Sequence, residues 1–389
     1  MKKRYTYKLR PGSQAVAHLH QEYARTRWLW NECVHQFRSG NKPTAKKLDK
    51  LLTDARANMS WLREGSSVVQ QQVIREYATA LNHSFTVKGR GRPRVKTRKR
   101  NPYTSLNYTT RGFGVKDGRL RLAGGLSIPV VWSRELPSTP SSVRVYEDAA
   151  GWWWASFVVE VAEPEHLPPT NSAMGVDWGV KTTAVTTDDD LDVDYQGHAR
   201  RQAKNLAKYQ RRMALHYAKG EKEQSKQYKR AKKKTARLHR RIRWQRKEFA
   251  LKWSKSVVKA HDQIAVEDFK PKFLAKTSMA RKAHDAAIGQ LKSTLIDEAY
   301  KAGRELVLVK PSYTTMACNK CGVRAKHRIP LNVRVFRCSS CGHEDDRDKN
   351  AAKNILSWAG FHPETRDGNE SLAVSSDTAS SRLVGIPRL

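Results

Sequence analysis

The chain has 389 residues, and 74 Lys and Arg against 37 Asp and Glu give it a formal net charge of +37. The 39% apolar content excludes wholesale disorder, and the length is enough for roughly two or three domains with cores of their own. So large a cationic excess predicts a polyanionic partner, and nucleic acid is the partner that fits it best.

The hydrophobic and cysteine patterns narrow the class of protein further. The sequence has no run of about 18 apolar residues, and its basic amino terminus lacks an apolar core, so we expect neither a membrane span nor a signal peptide. Four of the five cysteines form two CxxC pairs, a pattern typical of metal binding in a reducing compartment. We therefore expect a cytoplasmic protein.

The amino-terminal region begins with a strand and continues with helices. Apolar and polar residues alternate through Tyr5, Tyr7 and Leu9, which predicts the strand. Cys33 belongs to an apolar stripe of helical spacing with Tyr23 and Trp30, so it is expected in the core rather than as a nucleophile. The predicted helices cover about 13–38, 43–56 and 67–84.

A row of cations occupies every second position of the stretch VKGRGRPRVKTRKR, residues 87–100. Gly and Pro favour an extended chain here, and an extended chain places side chains of this period on one side. Such a row can follow a phosphate backbone, whereas the plain alternative is a solvated basic loop. The candidate nucleic-acid contacts are Lys88, Arg90, Arg92, Arg94, Lys96, Arg98 and Arg100.

Short β-type runs dominate from about 103 to 161 and predict a small barrel or sandwich that includes the amino-terminal strand. In the run Trp152, Trp153 and Trp154, we expect alternate members to pack the core while one lies at a surface; stacking on bases is the alternative. The stretch EPEHLPP, from Glu163 to Pro169, reads as a linker between domains.

The second half opens with a strand, AMGVDWGV, and a β-hairpin candidate that follows it. Residues 199–255 then contain 22 Lys or Arg and only three acids, with helical spacing throughout. Gly220 divides them into a predicted helical hairpin with a cationic outer face, on which Arg240, Arg241 and Arg243 are candidate nucleic-acid contacts. Two strands, 263–269 and 305–310, are expected on either side of a helix near 282–301.

Two cysteine pairs, Cys318 with Cys321 and Cys338 with Cys341, are separated by 16 residues and each is followed by Gly. Four thiolates at this spacing form a tetrahedral zinc site of the ribbon type. Because four cysteines complete the ligand set, the zinc is expected to be structural, and His327 and His343 are not expected to bind it.

Three acids stand at the ends of predicted elements in an otherwise basic chain. Asp177 and Glu267 each follow apolar residues on a strand, and Asp348 lies at the start of a helix. Phosphodiester cleavage with metal ions needs carboxylates that hold hard cations against the phosphate. Two acids on strands followed by a third on a helix is the order found in RNase H-like nucleases. The structural alternative is that the acids stand at helix starts because they interact favourably with the helix dipole.

Helical geometry selects one acid of the stretch EDDRDKNAAKNIL. Asp348 shares a face with Ala351, Ala352 and Ile355, at i, i+3, i+4 and i+7, so it is expected to face the sheet. Asp346 instead lines up with Lys349, Asn350 and Lys353, which is predicted to be the solvent side.

Other acids are expected to have no part in metal binding. Asp188 to Asp190, Asp192 and Asp194 surround a predicted hairpin turn, and we interpret them as turn and surface residues. Asp268 should point to the face of its strand opposite to Glu267.

The motifs GVDWGVK, AVEDF, CxxCG…CxxCG and DRDKNAAKNIL together resemble those of TnpB, the transposon-encoded ancestor group of type V CRISPR effectors. The resemblance extends over nearly the whole chain and includes the YTYKLRP strand and the basic segment GRGRPRVKTRKR. The chain departs from the family pattern at Trp178, where a small aliphatic residue is commoner. It also departs in the Asp-rich run 188–194, where a plainer glycine turn is usual.

The resemblance implies a multidomain fold of mixed α/β and all-β class. An oligonucleotide-binding-like β-barrel (1–12 and 86–162) would carry an inserted helical recognition lobe (13–85), followed by a linker (163–170). An RNase H-like (RuvC) nuclease domain (171–312 and 343–358) would carry an inserted zinc ribbon (313–342) and precede a flexible tail (359–389).

The resemblance also implies RNA-guided cleavage of DNA. The family's catalytic acids correspond to Asp177, Glu267 and Asp348, which would hold two Mg²⁺ ions, while a transposon-derived guide RNA pairs with the target DNA. Two other classes remain open: a guide-directed DNA-binding regulator without cleavage, and a transposase or resolvase acting without RNA. The oligomeric state is left open.

Overall fold

The computed structural model describes residues 1–40, 44–97, 105–221, 223–270, 274, 276–327, 329–330, 332–361 and 381–382. The chain divides into two compact units, Met1–Glu163 and Pro164–Leu389. Among the described residues, no helix combines the length and the apolar character that crossing a membrane requires.

The amino-terminal unit contains a seven-stranded antiparallel sheet of order β2-β6-β7-β1-β5-β4-β3. One core contains side chains from β2 at one edge, such as Leu106, and from β4 near the other, such as Leu120, so the sheet curves around a shared interior. The strands are β1 (Lys2–Leu9), β2 (Ser105–Thr109), β3 (Phe113–Lys116), β4 (Arg119–Leu122), β5 (Leu126–Val131), β6 (Ser142–Glu147) and β7 (Trp153–Glu160).

The tryptophan run at the start of β7 divides between the two faces of this sheet. Trp153 is buried and stacks on Tyr23, whereas Trp152 and Trp154 are half-buried and stack on each other with centroids 6.1 Å apart. The Lys8 ammonium lies 3.7 Å from the Trp152 ring centroid. The prediction of two core tryptophans and one surface tryptophan is therefore wrong: the alternation places the middle one inside.

The described residues of this unit also form the helices α1 (Ser13–Arg38), α2 (Ala45–Asn58), α3 (Ser60–Arg63) and α4 (Ser67–Thr86). The Thr44 side chain accepts a hydrogen bond from the Lys47 backbone N–H and so caps α2. Cys33 is fully buried between α1, α2 and α4, and burial raises the pKa of its thiol to about 12, as expected of a core residue.

The carboxyl-terminal unit contains a six-stranded sheet of order β10-β9-β8-β11-β12-β15. Its strands are β8 (Ala173–Trp178), β9 (Thr182–Thr186), β10 (Val193–Asp194), β11 (Gln263–Glu267), β12 (Glu305–Val309) and β15 (Ser381–Arg382). β8, β11 and β12 are parallel neighbours, whereas β9, β10 and β15 run antiparallel to the strands beside them. A separate hairpin consists of β13 (Val335–Arg337) and β14 (Glu344–Asp346).

Helices cover both faces of the parallel strands. Ile264 and Val266 of β11 belong to one core, with side chains of α6 and α8, whereas Ala265 between them belongs to a second core with α9. This alternation explains the uninterrupted apolar runs of the strands. The helices are α5 (His198–Leu215), α6 (Lys226–Ala260), α7 (Ala280–Ala286), α8 (Ile288–Ala302) and α9 (Arg347–Trp358).

α9 lies directly against the backbone of β8. A Cβ atom at Gly175 would overlap the Ala352 carbonyl oxygen, so only glycine fits under the helix at this position. Ala351 and Ala352 are fully buried in the same contact region. The small side chains therefore set a close helix-to-strand distance.

Two further predicted features differ from the structure. The helix expected near 282–301 is broken at Ala287, whose φ of 55° interrupts it between α7 and α8. Most of the predicted tail, residues 362–380 and 383–389, lies outside the described residues, while Ser381–Arg382 pair with β12 as β15.

Candidate active site and metal centre

The structure places Asp177 and Glu267 at neighbouring strand ends. Asp177 is the penultimate residue of β8 and Glu267 the last residue of β11, and these parallel strands end at the same edge of the sheet. Their exposed fractions are only 7% and 6%. Burial, followed by the charges of Glu267 and Asp348, raises the pKa of Asp177 well above its ordinary value.

Glu267 has an unsatisfied carboxylate. Burial raises its pKa to about 7, and its Oε2 atom is buried without a hydrogen-bond partner among the described residues. A buried carboxylate oxygen without a partner is costly, and a hard cation is the ligand that such oxygens satisfy. The two strand acids therefore fit a divalent metal ion.

Asp348, the third predicted acid, is less buried and is paired with two arginines. Arg334 Nη1 lies 2.7 Å from its Oδ2, and Arg347 donates to its Oδ1 from Nη2 at 3.0 Å and from Nε at 3.2 Å. Arg347 is itself buried and donates to the carbonyls of Pro330 and Val333. The sequence pattern alone does not predict these two cations at the acid.

The acids at the start of α9 have different roles. Asp346 is exposed, and its Oδ1 accepts from the backbone N–H groups of Asp348 at 2.8 Å and Lys349 at 3.1 Å, so it is the N-cap. Asn350, predicted on the solvent side with Asp346, is instead fully buried.

Two asparagines of α9 bind the chain that enters the first cysteine pair. Asn350 donates to the Ala317 carbonyl and accepts from the Asn319 N–H, and Asn354 donates to the carbonyls of Thr314 and Ala317. Sequence reasoning missed this role, although two amides four residues apart on one helix face were a visible signal. They tie Asp348's helix to the cysteine cluster.

Four cysteines form the second centre. The Sγ atoms of Cys318 and Cys341 are 3.7 Å apart, and those of Cys321 and Cys338 are 3.6 Å apart. Four thiolates around one zinc ion would be separated by about 3.8 Å, so the spacing fits zinc and is too long for disulfides. Backbone N–H groups of Cys341 and Ser340 lower the pKa of the Cys338 thiol to about 6, which favours the thiolate that zinc binds.

The four cysteines are the only metal-capable group that the described ranges bring together, with all ligand atoms within 4.8 Å of one another. The carboxylate oxygens of the three acids are therefore not all within 4.8 Å of one another, although the charges of Glu267 and Asp348 still act on Asp177. Neither His327 nor His343 joins the cysteine group.

The Asp-rich run connects elements of the same unit. Asp188 Oδ2 lies 3.0 Å from His261 Nε2, and Lys349 of α9 forms ion pairs with Asp189 and with Asp192. Residues Asp189–Leu191 form a 3₁₀ turn, as expected of a turn segment. Asp268 pairs with Lys292 and Lys270.

The predicted cation row is docked along α1 in its described part. Trp30 Nε1 donates to the Arg94 carbonyl, and the Asn31 side chain binds both the N–H and the carbonyl of Lys96. Lys96 differs from the prediction because its ammonium lies over the Trp30 ring at 3.4 Å rather than facing solvent. Lys88, Arg90, Arg92 and Arg94 are exposed, whereas Arg98 and Arg100 lie outside the described residues.

The basic helix α6 shows a similar division. Arg241 and Arg243 are exposed. Arg240 is 9% exposed and lies over the Trp244 ring at 5.1 Å. Arg240 is therefore the least accessible of the three arginines, and its contact with nucleic acid stays a prediction that its burial disfavours.

Two family models match the chain. The model of OrfB_IS605, described as "Probable transposase", covers residues 156–277 and so includes both strand acids. The model described as "Cas12f1-like, TNB domain" covers residues 289–355 and so includes the four cysteines and Asp348.

Two curated proteins with the name "Putative RNA-guided DNA endonuclease" are similar over most of the length. The protein of Streptomyces pristinaespiralis is 32% identical across all of this chain and 99% of its own length. The protein InsQ of Escherichia coli (strain K12) is 27% identical across 90% of this chain and 91% of its own.

Among solved structures, Cas12f1 in its complex with sgRNA and target DNA has a similar fold. The match has a TM-score of 0.56 at 13% identity and covers 88% of this chain and 82% of that one.

Proposed function

The chain belongs to the TnpB family, and from this premise we propose that it is an RNA-guided DNA endonuclease whose metal-binding acids are Asp177, Glu267 and Asp348. The guide would be a transposon-derived RNA, and the substrate the DNA with which that RNA pairs.

One observation carries the assignment of the chemistry: two buried carboxylates share a sheet edge in a protein of net charge +37. Both have raised pKa values, and within the part of the chain that the structure describes Glu267 Oε2 has no hydrogen-bond partner. Keeping such a pair at the same edge costs stability unless a cation compensates it. Mg²⁺, bound there, would activate water and stabilise the departing 3′ oxygen.

The two arginines at Asp348 have different parts in this proposal. Arg347 is buried and fixed to two backbone carbonyls, so it keeps Asp348 in place. Arg334 has a side chain 38% exposed, so it is the partner that Asp348 can exchange for a cation. The four cysteines leave no open position on a zinc ion, so their role is structural.

The wider architecture is proposed by family resemblance. The β8-containing sheet would be the RuvC-like nuclease core, and the curved amino-terminal sheet the oligonucleotide-binding-like barrel with its helical lobe at 13–85. The shared core of β2 and β4 supports the second assignment. The exposed cations Lys88, Arg90, Arg92, Arg94, Arg241 and Arg243 would hold nucleic-acid backbone.

The test is to express the full chain together with its flanking DNA, to sequence co-purifying RNA and to measure Mg²⁺-dependent cleavage of matching DNA. Asp177→Ala should abolish cleavage and retain RNA binding, whereas Asp190→Ala removes an exposed acid of the turn and should leave cleavage unchanged. Absence of a discrete bound RNA would contradict the guided function. Bound RNA without cleavage by the wild type would identify a DNA-binding regulator.

A further inference from the structure

The pairing of β8 with β11 ends just before the acids. The parallel register runs from Ala173 opposite Gln263 to Val176 opposite Val266, one residue short of Asp177 and Glu267. On its other side β11 remains paired with β12 through Glu267 opposite Val309. The register that joins the two acid-bearing strands therefore ends one residue before the acids.

The indole of Trp178 spans this separation. Its Nε1 donates to the backbone carbonyl of Glu267 at 3.2 Å, and both residues are buried. The side chain that follows one acid thus binds the main chain of the other.

The Trp178 ring is itself fixed by packing. It is 5% exposed and meets Trp253 of α6 edge-on, with centroids 6.0 Å apart and planes at 63°. Trp253 is held in turn, because its Nε1 donates to the Leu191 carbonyl at 2.8 Å. The indole N–H therefore approaches the Glu267 carbonyl from a defined direction.

We propose that Trp178 is a positioning residue that holds the Glu267 backbone, and with it the Glu267 carboxylate, at the distance from Asp177 that a divalent metal ion requires. This inference rests on the proposed function of the acids. Two like charges at adjacent strand ends repel each other, and the β8–β11 register stops before either acid. The indole hydrogen bond adds a link between these two strand ends beyond the register, and it supplies the donor that the buried carbonyl needs.

The experiment removes only the N–H group. In zinc-loaded full-length protein, Trp178 is replaced by its benzothienyl-alanine isostere, which keeps the ring shape without the donor, and in parallel by Trp178→Phe. Mn²⁺ binding is titrated by electron paramagnetic resonance, and thermal unfolding is recorded. Replacing Trp30 in the same two ways is the matched control, because it removes an indole-to-carbonyl bond of a buried tryptophan in the amino-terminal unit, away from the acids and from Trp178.

The expected result is Mn²⁺ binding weaker by about 10- to 100-fold for the Trp178 isostere, the size typical of losing an outer partner of a metal ligand. The Trp30 isostere should bind Mn²⁺ as the wild type does. Unchanged binding in the Trp178 isostere, or equal losses at Trp178 and Trp30, would overturn the positioning role. If Trp178→Phe does not fold, the isostere alone tests the positioning role, because it keeps the shape of the ring.

Asp177→Ala separates this inference from the proposed function. If Asp177→Ala still binds Mn²⁺ like the wild type, the acids are not the metal site and the proposed function fails with the inference. If Asp177→Ala loses the metal while the Trp178 isostere keeps it, only the positioning role fails.

Discussion

Arg334 forms a 2.7 Å ion pair with Asp348, so a cation that lies between the two cysteine pairs neutralises the acid at the start of α9. The pair is partly exposed, with side-chain exposures of 38% and 19%. A metal ion at Asp348 must compete with this cation.

Arg334→Ala is expected to strengthen Mn²⁺ binding in the absence of nucleic acid, because it removes a competing charge from Asp348. Because a partly exposed ion pair of this kind is weak, its removal should increase the affinity for Mn²⁺ by about two- to five-fold. Arg337→Ala is the matched control, since Arg337 pairs with Glu344 in the exposed β13–β14 hairpin. Weaker or unchanged Mn²⁺ binding in Arg334→Ala would show that the pair does not compete with metal.

Glu267→Gln is expected to raise the free energy of unfolding at pH 8 in zinc-loaded protein without added Mg²⁺, on the order of 1–3 kcal/mol. Burial raises the pKa of Glu267 to about 7, so the folded protein binds more protons than the unfolded one between the ordinary value of 4.5 and 7. Stability from this group therefore falls as pH rises through that window. The variant's advantage should vanish below pH 4.5, as urea unfolding at several pH values can measure.

The control for that experiment is Glu305→Gln, a partly exposed glutamate of β12. Its stability difference from the wild type should change little between acid and alkaline pH. An equal pH dependence in both variants would contradict the burial of charge at Glu267.

Asp285→Asn is expected to destabilise the carboxyl-terminal unit by about 3 kcal/mol, as the loss of a buried ion-pair partner does. Asp285 is 4% exposed, pairs with Arg246 of α6 at 2.8 Å and accepts from the N–H groups of Ala199 and Arg200 at the start of α5. It therefore anchors both basic helices to α7. Urea unfolding at pH 7 measures the loss.

The same variant carries a pH signature of opposite sign to that of Glu267. Burial opposes ionisation of Asp285, but Arg246 and the backbone N–H groups outweigh it and lower the pKa to about 2. Its stabilisation is complete above the ordinary value of 3.8 and is lost as pH falls toward 2. The difference between wild type and Asp285→Asn should narrow over that range, and the exposed Asp297→Asn should show no such change.

Asn350→Ala should weaken zinc retention although it leaves all four cysteines in place. The change removes the bonds to Ala317 and Asn319 on either side of Cys318 and leaves buried backbone groups unsatisfied, at about 1–3 kcal/mol. Zinc release to a colorimetric chelator measures the effect. Ser357→Ala, at an exposed position of α9, is the control and should release zinc at the wild-type rate.

The strong local patterns predicted most elements. The helix expected at 13–38 has those bounds as α1, and strands were expected where β8, β11 and β12 occur. Apolar periodicity determined these elements because both faces of the sheet are buried. The closed cysteine site follows from spacing alone, since its ligands are nearby in sequence.

Within each repeating pattern, the sequence could not show which individual residue is buried by its contacts. Arg240 and Lys96 looked like their exposed neighbours, yet Trp244 and Trp30 cover them. Asn350 fell on the polar side of a helix, and that side faces another chain segment rather than water. The contacts of Lys96 and Asn350 depend on which distant segment packs nearby, which helix periodicity does not encode, whereas the ring over Arg240 lies one turn along its own helix.

The close contact between Gly175 and Ala352 has a consequence for sequence divergence. Because bare backbone on β8 supports the body of α9, the height of Asp348 above the sheet is set by main-chain contact rather than by the intervening cysteine segment. That segment can lengthen, shorten or change its surface without displacing the acid, provided that its two ends stay anchored. Substitutions at residue 175 have no such freedom, and even alanine there should lift the helix from the strand.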